Sequence, residues 1–294
     1  MQPLVNLFDL KTAVPGLVVI DSARSGESNM AIDEALLQNA TPQWPIVLRI
    51  YRWDRPTLSI GHFQRIQDRQ GDPRLSDLPW VRRKTGGGAI VHDQELTYSI
   101  VIPNRNSQST KGHNETLYRG IHLAFLENLR KLGWSACLSE SCTCKTTAGK
   151  EPEAFLCFLR RSPVDLLVGR DKILGSAQRR SVTGLIQHGS FLLRHAQTTP
   201  ELLGLLDLEN GFDPKQHVEN SSSISGLKIT KNEFEGGLDP NWKTDSQSTQ
   251  MDPWISFFVA SLKLGVSKAL QVNWQNGKLS DLLENLDCVV AGRN

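Results

Sequence analysis

The sequence predicts an α+β fold in which a mixed β-sheet packs against a few long helices. Strand-like runs occur in pairs joined by short turns, as at residues 46–52 and 57–61. The clearest helical patterns, at residues 115–132 and 252–270, stand far apart along the chain. Hairpins mixed with a few helices favour an α+β fold, since a doubly wound sheet needs strands and helices to alternate.

The spacing of apolar residues marks the predicted helices. Ser28 or Asn29 is expected to cap the first of them, because both side chains accept hydrogen bonds from backbone amides. Gly133 ends the clearest predicted helix, at residues 115–132. The predicted helices are residues 29–39, 115–132, 200–206 and 252–270.

Turn residues bound the predicted strands. Asp54-Arg55-Pro56 separates the first two strands, and Gly169-Arg170-Asp171 separates a later pair. The predicted strands are residues 46–52, 57–61, 80–81, 96–102, 164–168, 172–174 and 185–193.

Composition excludes several classes of protein. The chain has 294 residues, of which 39% are hydrophobic and 22% are charged, as is usual for a soluble globular protein. Its net charge of +2 gives no argument for nucleic-acid binding. The N-terminus lacks a signal-peptide pattern, and no apolar run approaches the ~20 residues of a membrane helix, so we expect a cytoplasmic protein that does not bind a membrane.

The five cysteines are expected to be free thiols, because their number is odd and a cytoplasmic chain seldom forms disulfides. Cys142-Thr143-Cys144 has no second pair at zinc-finger spacing. We therefore interpret it as a loop feature and predict no metal site.

A run of three glycines, Gly86-Gly87-Gly88, follows the basic cluster Arg82-Arg83-Lys84 and precedes His92. Glycine costs backbone entropy, so such a run indicates close approach to a ligand or positive φ angles. A plain hairpin turn with a solvated basic flank is the alternative, since a short glycine motif is a weak signal.

A second motif surrounds Cys157. Residues 157–193 contain Ser162-Pro163-Val164-Asp165-Leu166 and then Lys172-Ile173-Leu174-Gly175-Ser176-Ala177. With the glycine motif, Asn29-Met30-Ala31-Ile32-Asp33-Glu34-Ala35, Arg49–Trp53 and Pro56–Gln64, it makes five blocks in one order. These blocks, over about residues 16–206, resemble the lipoate-protein ligase and octanoyltransferase family, which is related in fold to biotin protein ligase.

The resemblance implies a biotin protein ligase-like fold, with a mixed sheet and helices on its outer side. Residues 1–206 would be the acyltransferase or ligase catalytic domain. Residues 207–294 would be a polar linker and a small helical C-terminal extension, because residues 213–250 are rich in polar and turn residues.

The resemblance also implies a catalytic pair. Cys157 matches the cysteine that octanoyltransferases of the family place before Pro-x-Asp-Leu, and Lys172 matches the family's lysine. A thiolate attacks thioesters readily, and a nearby cation stabilises it. The alternative interpretations are a buried structural cysteine and an ordinary surface lysine.

The resemblance predicts the substrate-binding residues as well. The glycines 86–88 would line an acyl tunnel, and Arg83 and Thr85 match ligand-contacting positions. Gly175, Ser176 and Ala177 would supply backbone N–H donors. His92 and His188 would orient loops or act on protons, although a single histidine is more often structural. Asn29 and Asp33 are expected to brace the site.

The implied function is transfer of an octanoyl or lipoyl group from acyl carrier protein to a lysine of a lipoyl-domain or glycine-cleavage H-type protein, through a Cys157 acyl-enzyme. No cofactor is expected. The alternatives are an ATP-dependent lipoate ligase with Mg²⁺, an octanoyl amidotransferase between lipoyl-domain proteins, and a non-catalytic acyl-binding relative. Glu95, where ligases often have glycine, favours the transferase.

Overall fold

The computed structural model describes residues 14–105, 113–142, 154–208 and 253–282, together with the strand pair at 223–224 and 227–228. The predicted loop around Cys144, most of the polar segment 213–250, and Cys288 lie outside these residues. The strands are β1 Val14–Ile20, β2 Ile46–Tyr51, β3 Thr57–Ile60, β4 Trp80–Arg82, β5 Ile90–His92, β6 Glu95–Pro103, β7 Ala136–Leu138, β8 Leu166–Val168, β9 Asp171–Arg180, β10 Gly184–Leu192, β11 Ser223–Ile224, β12 Leu227–Lys228 and β13 Val272–Asn276.

Eight of these strands form a mixed sheet in the order β13-β1-β2-β6-β10-β9-β8-β7. The first three run parallel, and the remaining pairs are antiparallel. A smaller sheet has the order β4-β3-β5. With the helices described next, this arrangement confirms the predicted α+β fold.

Helices cover both faces of the large sheet, and the alternation of side chains along its strands explains how. The helices are α1 Gly26–Gln38, α2 His113–Lys131 and α3 Pro253–Ala269. On β6, Tyr98 and Ile100 point into the core beneath α2 and α3, whereas Val101 joins the core beneath α1. Because successive side chains of a strand point to opposite faces, β6 serves both cores.

Residues 253–276 belong to the main core and the large sheet. Phe257 and Phe258 of α3 pack against Phe125 of α2, with ring centroids 5.8 and 5.1 Å apart. β13 pairs in parallel with β1 at the sheet edge. The predicted limit of the catalytic domain at residue 206 stays a prediction, but residues 253–276 belong to the same sheet and core as the rest.

Three sequence-based assignments need correction. The first helix begins at Gly26 and is capped by Ser25, whose hydroxyl accepts from the Ser28 amide at 3.3 Å. The predicted helix at 200–206 is a short 3₁₀ turn at Leu205–Asp207, and the strand predicted at 164–168 begins at Leu166. Local caps and prolines shift such boundaries, which propensity places only within a few residues.

Candidate active site

A cleft lies between the glycine loop, defined here as residues 86–88, and strands β9 and β10. It encloses about 410 Å³, part of it open to solvent. Its lining residues are Met30, Tyr51, Trp53, Arg83, Gly87, Ile90, His92, Thr97, Cys157, Gly175, Ser176, Ala177, His188, Gly189 and Ser190. Eight of the twelve predicted site residues are in this set, and the other four, Lys172, Thr85, Gly86 and Gly88, do not line the cleft.

Cys157 and Lys172 meet at the cleft. The Lys172 Nζ lies 3.6 Å from the Cys157 Sγ and 3.3 Å from the Cys157 carbonyl oxygen. The predicted proximity of the two side chains is therefore confirmed. Lys172 also forms a buried ion pair with Asp165, at 2.8 Å, which holds the ammonium in place.

Lys172 reaches Cys157 because Gly175 has no side chain. A β-bulge between β8 and β9 sets Lys172 opposite Leu167. From there its side chain crosses the backbone of Gly175, where an added Cβ would lie 2.5 Å from the Lys172 Cε and 2.8 Å from the Nζ. The Lys172 side chain can follow this path to Cys157 only because residue 175 has no side chain.

The segment that carries Cys157 is anchored to the glycine loop. The Cys157 amide donates to the Ala89 carbonyl at 2.7 Å, and the Ala89 amide donates to the Phe155 carbonyl at 2.9 Å. An added Cβ at Gly88 would lie 2.8 Å from the Cys157 backbone. The glycines were expected to approach a ligand or to adopt positive φ angles; Gly88 instead lies close to the backbone of the thiol-bearing segment.

The glycine loop is not a plain hairpin turn, because the strands that flank it, β4 and β5, pair with β3 and not with each other. Gly87 has a φ of 87°, a conformation that other residues seldom adopt. An added Cβ at Gly61 would lie 2.0 Å from the Gly87 carbonyl oxygen. The loop thus packs directly on the turn that follows β3.

Arg83 shapes this loop from inside. Its guanidinium donates to the carbonyls of Gly86 and Gly88 at 3.0 and 2.8 Å, and to the Ser59 carbonyl and hydroxyl at 2.8 and 2.7 Å. Burial lowers the pKa of Arg83 to about 10, and the nearby Cys157 opposes the shift. The guanidinium therefore remains a cation at neutral pH while it lines the cleft.

His188 is held between Asp33 of α1 and Thr85, which precedes the glycine loop. Its Nε2 lies 3.0 Å from Asp33, and its Nδ1 lies 3.1 Å from the Thr85 hydroxyl. Burial opposes ionisation of Asp33, but the Arg49 charge and hydrogen bonds from His188 and Ser99 hold the pKa of Asp33 well below its usual range. Asp33 thus braces the cleft wall, as predicted.

His92 is held in the same manner. Its Nδ1 lies 2.6 Å from Glu95 and its Nε2 lies 2.6 Å from the Ser59 hydroxyl, while its ring stacks on Trp53. Burial lowers the pKa of His92, although Glu95 opposes the shift. Both ring nitrogens of His92 and of His188 thus have protein partners, which fits the predicted loop-orienting role.

Ser176 points away from the cleft. Its hydroxyl lies 2.7 Å from the Tyr98 hydroxyl and 2.8 Å from the Nε2 of His122, beneath α2. Its amide, which we expected to face the substrate, donates to the Tyr118 hydroxyl at 3.2 Å. The strand exposes its backbone to the cleft here, but this predicted N–H donor is already occupied.

Several residues of the site were missed from the sequence. Asp165 lies in the segment Ser162-Pro163-Val164-Asp165-Leu166, where a carboxylate immediately before an apolar strand was a usable signal. Tyr118 donates to Asp165 at 3.3 Å from a helix whose periodicity gave no hint of a site. The walls of the cleft, including Met30, Trp53 and Ile90, depend on tertiary packing and had no local signal.

The described residues contain neither a metal-binding cluster nor a membrane-spanning helix. No group of three or more His, Cys, Asp or Glu side chains there is arranged to hold a metal ion. Within the same part of the chain, no helix combines the length and the apolar character that crossing a bilayer requires.

The fold and the site together define an α+β domain with a mixed sheet, whose cleft holds a thiol, an anchored ammonium and a glycine loop. The model of the lipoyl protein ligase A/B catalytic domain matches residues 25–222. The chain therefore belongs to the lipoyl protein ligase A/B family.

Individual relatives agree with this assignment. The octanoyltransferase LipM of Anoxybacillus flavithermus is 39% identical over 180 residues, which are 59% of this chain and 64% of that protein. The octanoyltransferase LipM of Staphylococcus epidermidis is 33% identical over 227 residues, which are 73% of this chain and 81% of that protein. The chain thus spans slightly less than two thirds of the first of these relatives.

A solved structure shares the fold. It is an archaeal bipartite lipoate protein ligase, described with its E2 lipoyl domain, from Thermoplasma acidophilum, with a TM-score of 0.53 and 19% identity. The match covers 96% of this chain and 94% of that one. At this identity the likeness concerns the fold alone.

Proposed function

We propose that this protein is a cytoplasmic acyltransferase of lipoate biosynthesis that moves an octanoyl group from an acyl carrier protein thioester to a lysine of a lipoyl-domain or glycine-cleavage H-type protein. The observation that carries the proposal is the 3.6 Å contact between the Cys157 Sγ and the Lys172 Nζ. The similarity of this chain to octanoyltransferases supports the same reaction.

In the first half-reaction, the Cys157 thiolate attacks the carbonyl carbon of the thioester. A bond forms between Sγ and that carbon, the bond to the carrier sulfur breaks, and the carrier leaves as a thiol after taking up a proton. Lys172 stabilises the thiolate and the oxyanion, and its ion pair with Asp165 keeps it in position.

In the second half-reaction, the uncharged ε-amine of the acceptor lysine attacks the acyl-enzyme. A carbon–nitrogen bond forms, the bond to Sγ breaks, and the amine releases a proton as Cys157 returns to a thiolate. An amide is more stable than a thioester, so the proposed reaction needs neither ATP nor a metal ion.

Two other activities remain candidates. An ATP-dependent lipoate ligase would start from the free acid, and the shared fold of lipoate ligases favours it, with Mg²⁺ carried by the nucleotide phosphates. An octanoyl amidotransferase would use the same Cys157 chemistry but take the octanoyl group from another lipoyl-domain protein. The thiol beside Lys172 favours a thioester donor over the ligase, because a ligase has no use for it.

The test is to incubate the protein with octanoyl-acyl carrier protein and an apo lipoyl domain, with and without ATP. We expect ATP-independent modification and a hydroxylamine-sensitive octanoyl adduct that disappears in Cys157→Ser but persists in the control Cys137→Ser. Full transfer by Cys157→Ser would refute the cysteine mechanism. Modification from free octanoate and ATP would establish the ligase, and transfer only from an octanoylated protein would establish the amidotransferase.

A further inference from the structure

The turn formed by residues 61–64 presents an aromatic side chain to solvent next to two segments that flank the cleft. Phe63 is 87% exposed. Burying a large apolar side chain is favourable, so a partner surface that covers Phe63 would gain affinity from the contact. Isolated exposed apolar residues are common on protein surfaces. Phe63 differs from them because its turn is held against segments that flank the cleft.

The turn is held rigidly on three sides. Arg82 donates to the carbonyls of Gly61, His62 and Gln64 at 3.2, 3.1 and 2.6 Å. The His62 amide donates to the carbonyl of Thr85 at 2.9 Å, and Gln64 donates to the Phe155 carbonyl at 2.9 Å. The turn thus contacts the segment before the glycine loop and the segment that carries Cys157, so Phe63 is displayed beside the nucleophile.

A second exposed apolar side chain lies on the Cys157 segment itself. Leu159, two residues after the thiol, is 50% exposed. Basic residues stand next to these segments in the chain: Arg82 and Lys84 precede the glycine loop, and Arg160 and Arg161 follow Leu159. Lys84 forms an ion pair with Glu34 at 2.7 Å. Arg161 donates to the Phe158 carbonyl at 2.7 Å and to the Arg170 carbonyl at 2.8 Å, which fixes its guanidinium against the Cys157 segment. Exposed apolar side chains accompanied by basic residues are a composition that suits an interface for an acidic protein.

We propose that Phe63 and Leu159 form the docking surface for the acceptor protein, on a face of that protein where apolar side chains and carboxylates surround the target lysine. This inference rests on the proposed function. The acceptor amine sits at the end of four methylene groups, so the acceptor backbone must come within one lysine length of the Cys157 Sγ. A carrier protein delivers its thioester on a longer prosthetic arm and does not need to touch these residues.

Direct binding tests the surface without relying on catalysis. An apo lipoyl domain is titrated by NMR or calorimetry into the wild-type protein, Phe63→Ala and Leu159→Ala, with Val182→Ala as the control. Val182 is 90% exposed but lies in the turn at the far end of β9. We expect the dissociation constant to rise about tenfold or more for Phe63→Ala, as for a buried aromatic hot spot, to rise less for Leu159→Ala, and to stay unchanged for Val182→Ala.

A kinetic measurement separates donor from acceptor. Acyl-enzyme formation from a small octanoyl thioester and its discharge by hydroxylamine are expected to be unchanged in Phe63→Ala, whereas discharge by the lipoyl domain slows. Added salt is expected to weaken binding of the lipoyl domain, because it screens the charges of these basic residues.

Equal affinity of wild type and Phe63→Ala for the lipoyl domain would overturn the inference, as would a defect confined to acylation by octanoyl-acyl carrier protein. If no acyl-enzyme forms in the wild type, the proposed function fails, but the binding titration still decides whether this surface docks the lipoyl domain.

Discussion

Replacing Gly175 by alanine displaces the cation of the proposed catalytic pair without changing either of its members. The new Cβ would lie 2.5 Å from the Lys172 Cε and 2.8 Å from its Nζ. Ordinary carbon contacts are about 3.5–4.0 Å, so the end of the lysine must retreat by about 1–1.5 Å. Because the obstructed atoms belong to the end of a flexible side chain, the fold accommodates the change at little cost.

The retreat weakens the attraction between the Lys172 ammonium and the Cys157 thiolate. At the observed 3.6 Å, this attraction is about 4.6 kcal/mol for an effective dielectric constant of about 20. A retreat of about 1.5 Å lowers it to about 3.2 kcal/mol, and a loss of about 1.4 kcal/mol slows a reaction about tenfold. We therefore expect Gly175→Ala to acylate five- to tenfold more slowly.

The assay is single-turnover acylation by a small octanoyl thioester, followed by intact mass, with thermal unfolding measured in parallel. Gly71→Ala is the matched control, because nothing lies within 4 Å of a Cβ at that exposed position. A folded Gly175→Ala protein with the wild-type acylation rate would refute the argument that Lys172 must cross Gly175 to act on Cys157.

Three further predictions concern the groups around this pair. Asp165→Ala should lower the free energy of unfolding, measured in urea, by about 3–5 kcal/mol, because it leaves the buried Lys172 without its partner, and the double variant with Lys172→Met should be less destabilised. Gly87→Val should fold but transfer octanoate slowly, since its φ of 87° strains a branched residue and its methyls enter the cleft; unchanged transfer would contradict the tunnel wall. Burial lowers the pKa of His122 to about 4, so the folded state binds a proton less readily than the unfolded state and stability should fall as the pH drops from about 6.5 towards 4. The free energy of unfolding, measured in urea at pH 7 and at pH 5, should drop by about 2 kcal/mol less in His122→Asn than in the wild type. An equal drop in both proteins would contradict this role of His122.

The sequence predicted elements well where periodicity was strong and failed where the structure depends on distant contacts. The helix at His113–Lys131 and the strand at Glu95–Pro103 were recognised within a few residues, because each has one clear repeat. The start of α1 was misplaced, since Ser25 acts as a cap that no apolar pattern marks. That residues 253–276 rejoin the sheet after a long polar segment is a long-range pairing, which local patterns do not encode.

The candidate site shows the same division. Cys157 and Lys172 were identified by resemblance, and their 3.6 Å separation agrees with the expected pairing. The sequence did not show that Gly175 is the crossing point of the lysine, because a glycine in a strand has several possible reasons. It also did not show that Ser176 faces α2, since the bulge in β9 changes which side chains face the cleft.

The distribution of polar partners limits which groups of this cleft can take part in chemistry. Both ring nitrogens of His92 and of His188 are committed to protein partners, so moving a proton at either ring would break a buried hydrogen bond. Arg83 spends four hydrogen bonds on the glycine loop and on Ser59. Lys172 is the cationic side chain that contacts the thiol directly, and its other partner, Asp165, is an anion that anchors it. The geometry therefore favours a role for Lys172 in stabilising charge at the Cys157 sulfur. Such a role suits an acyl donor that is already activated, such as a thioester.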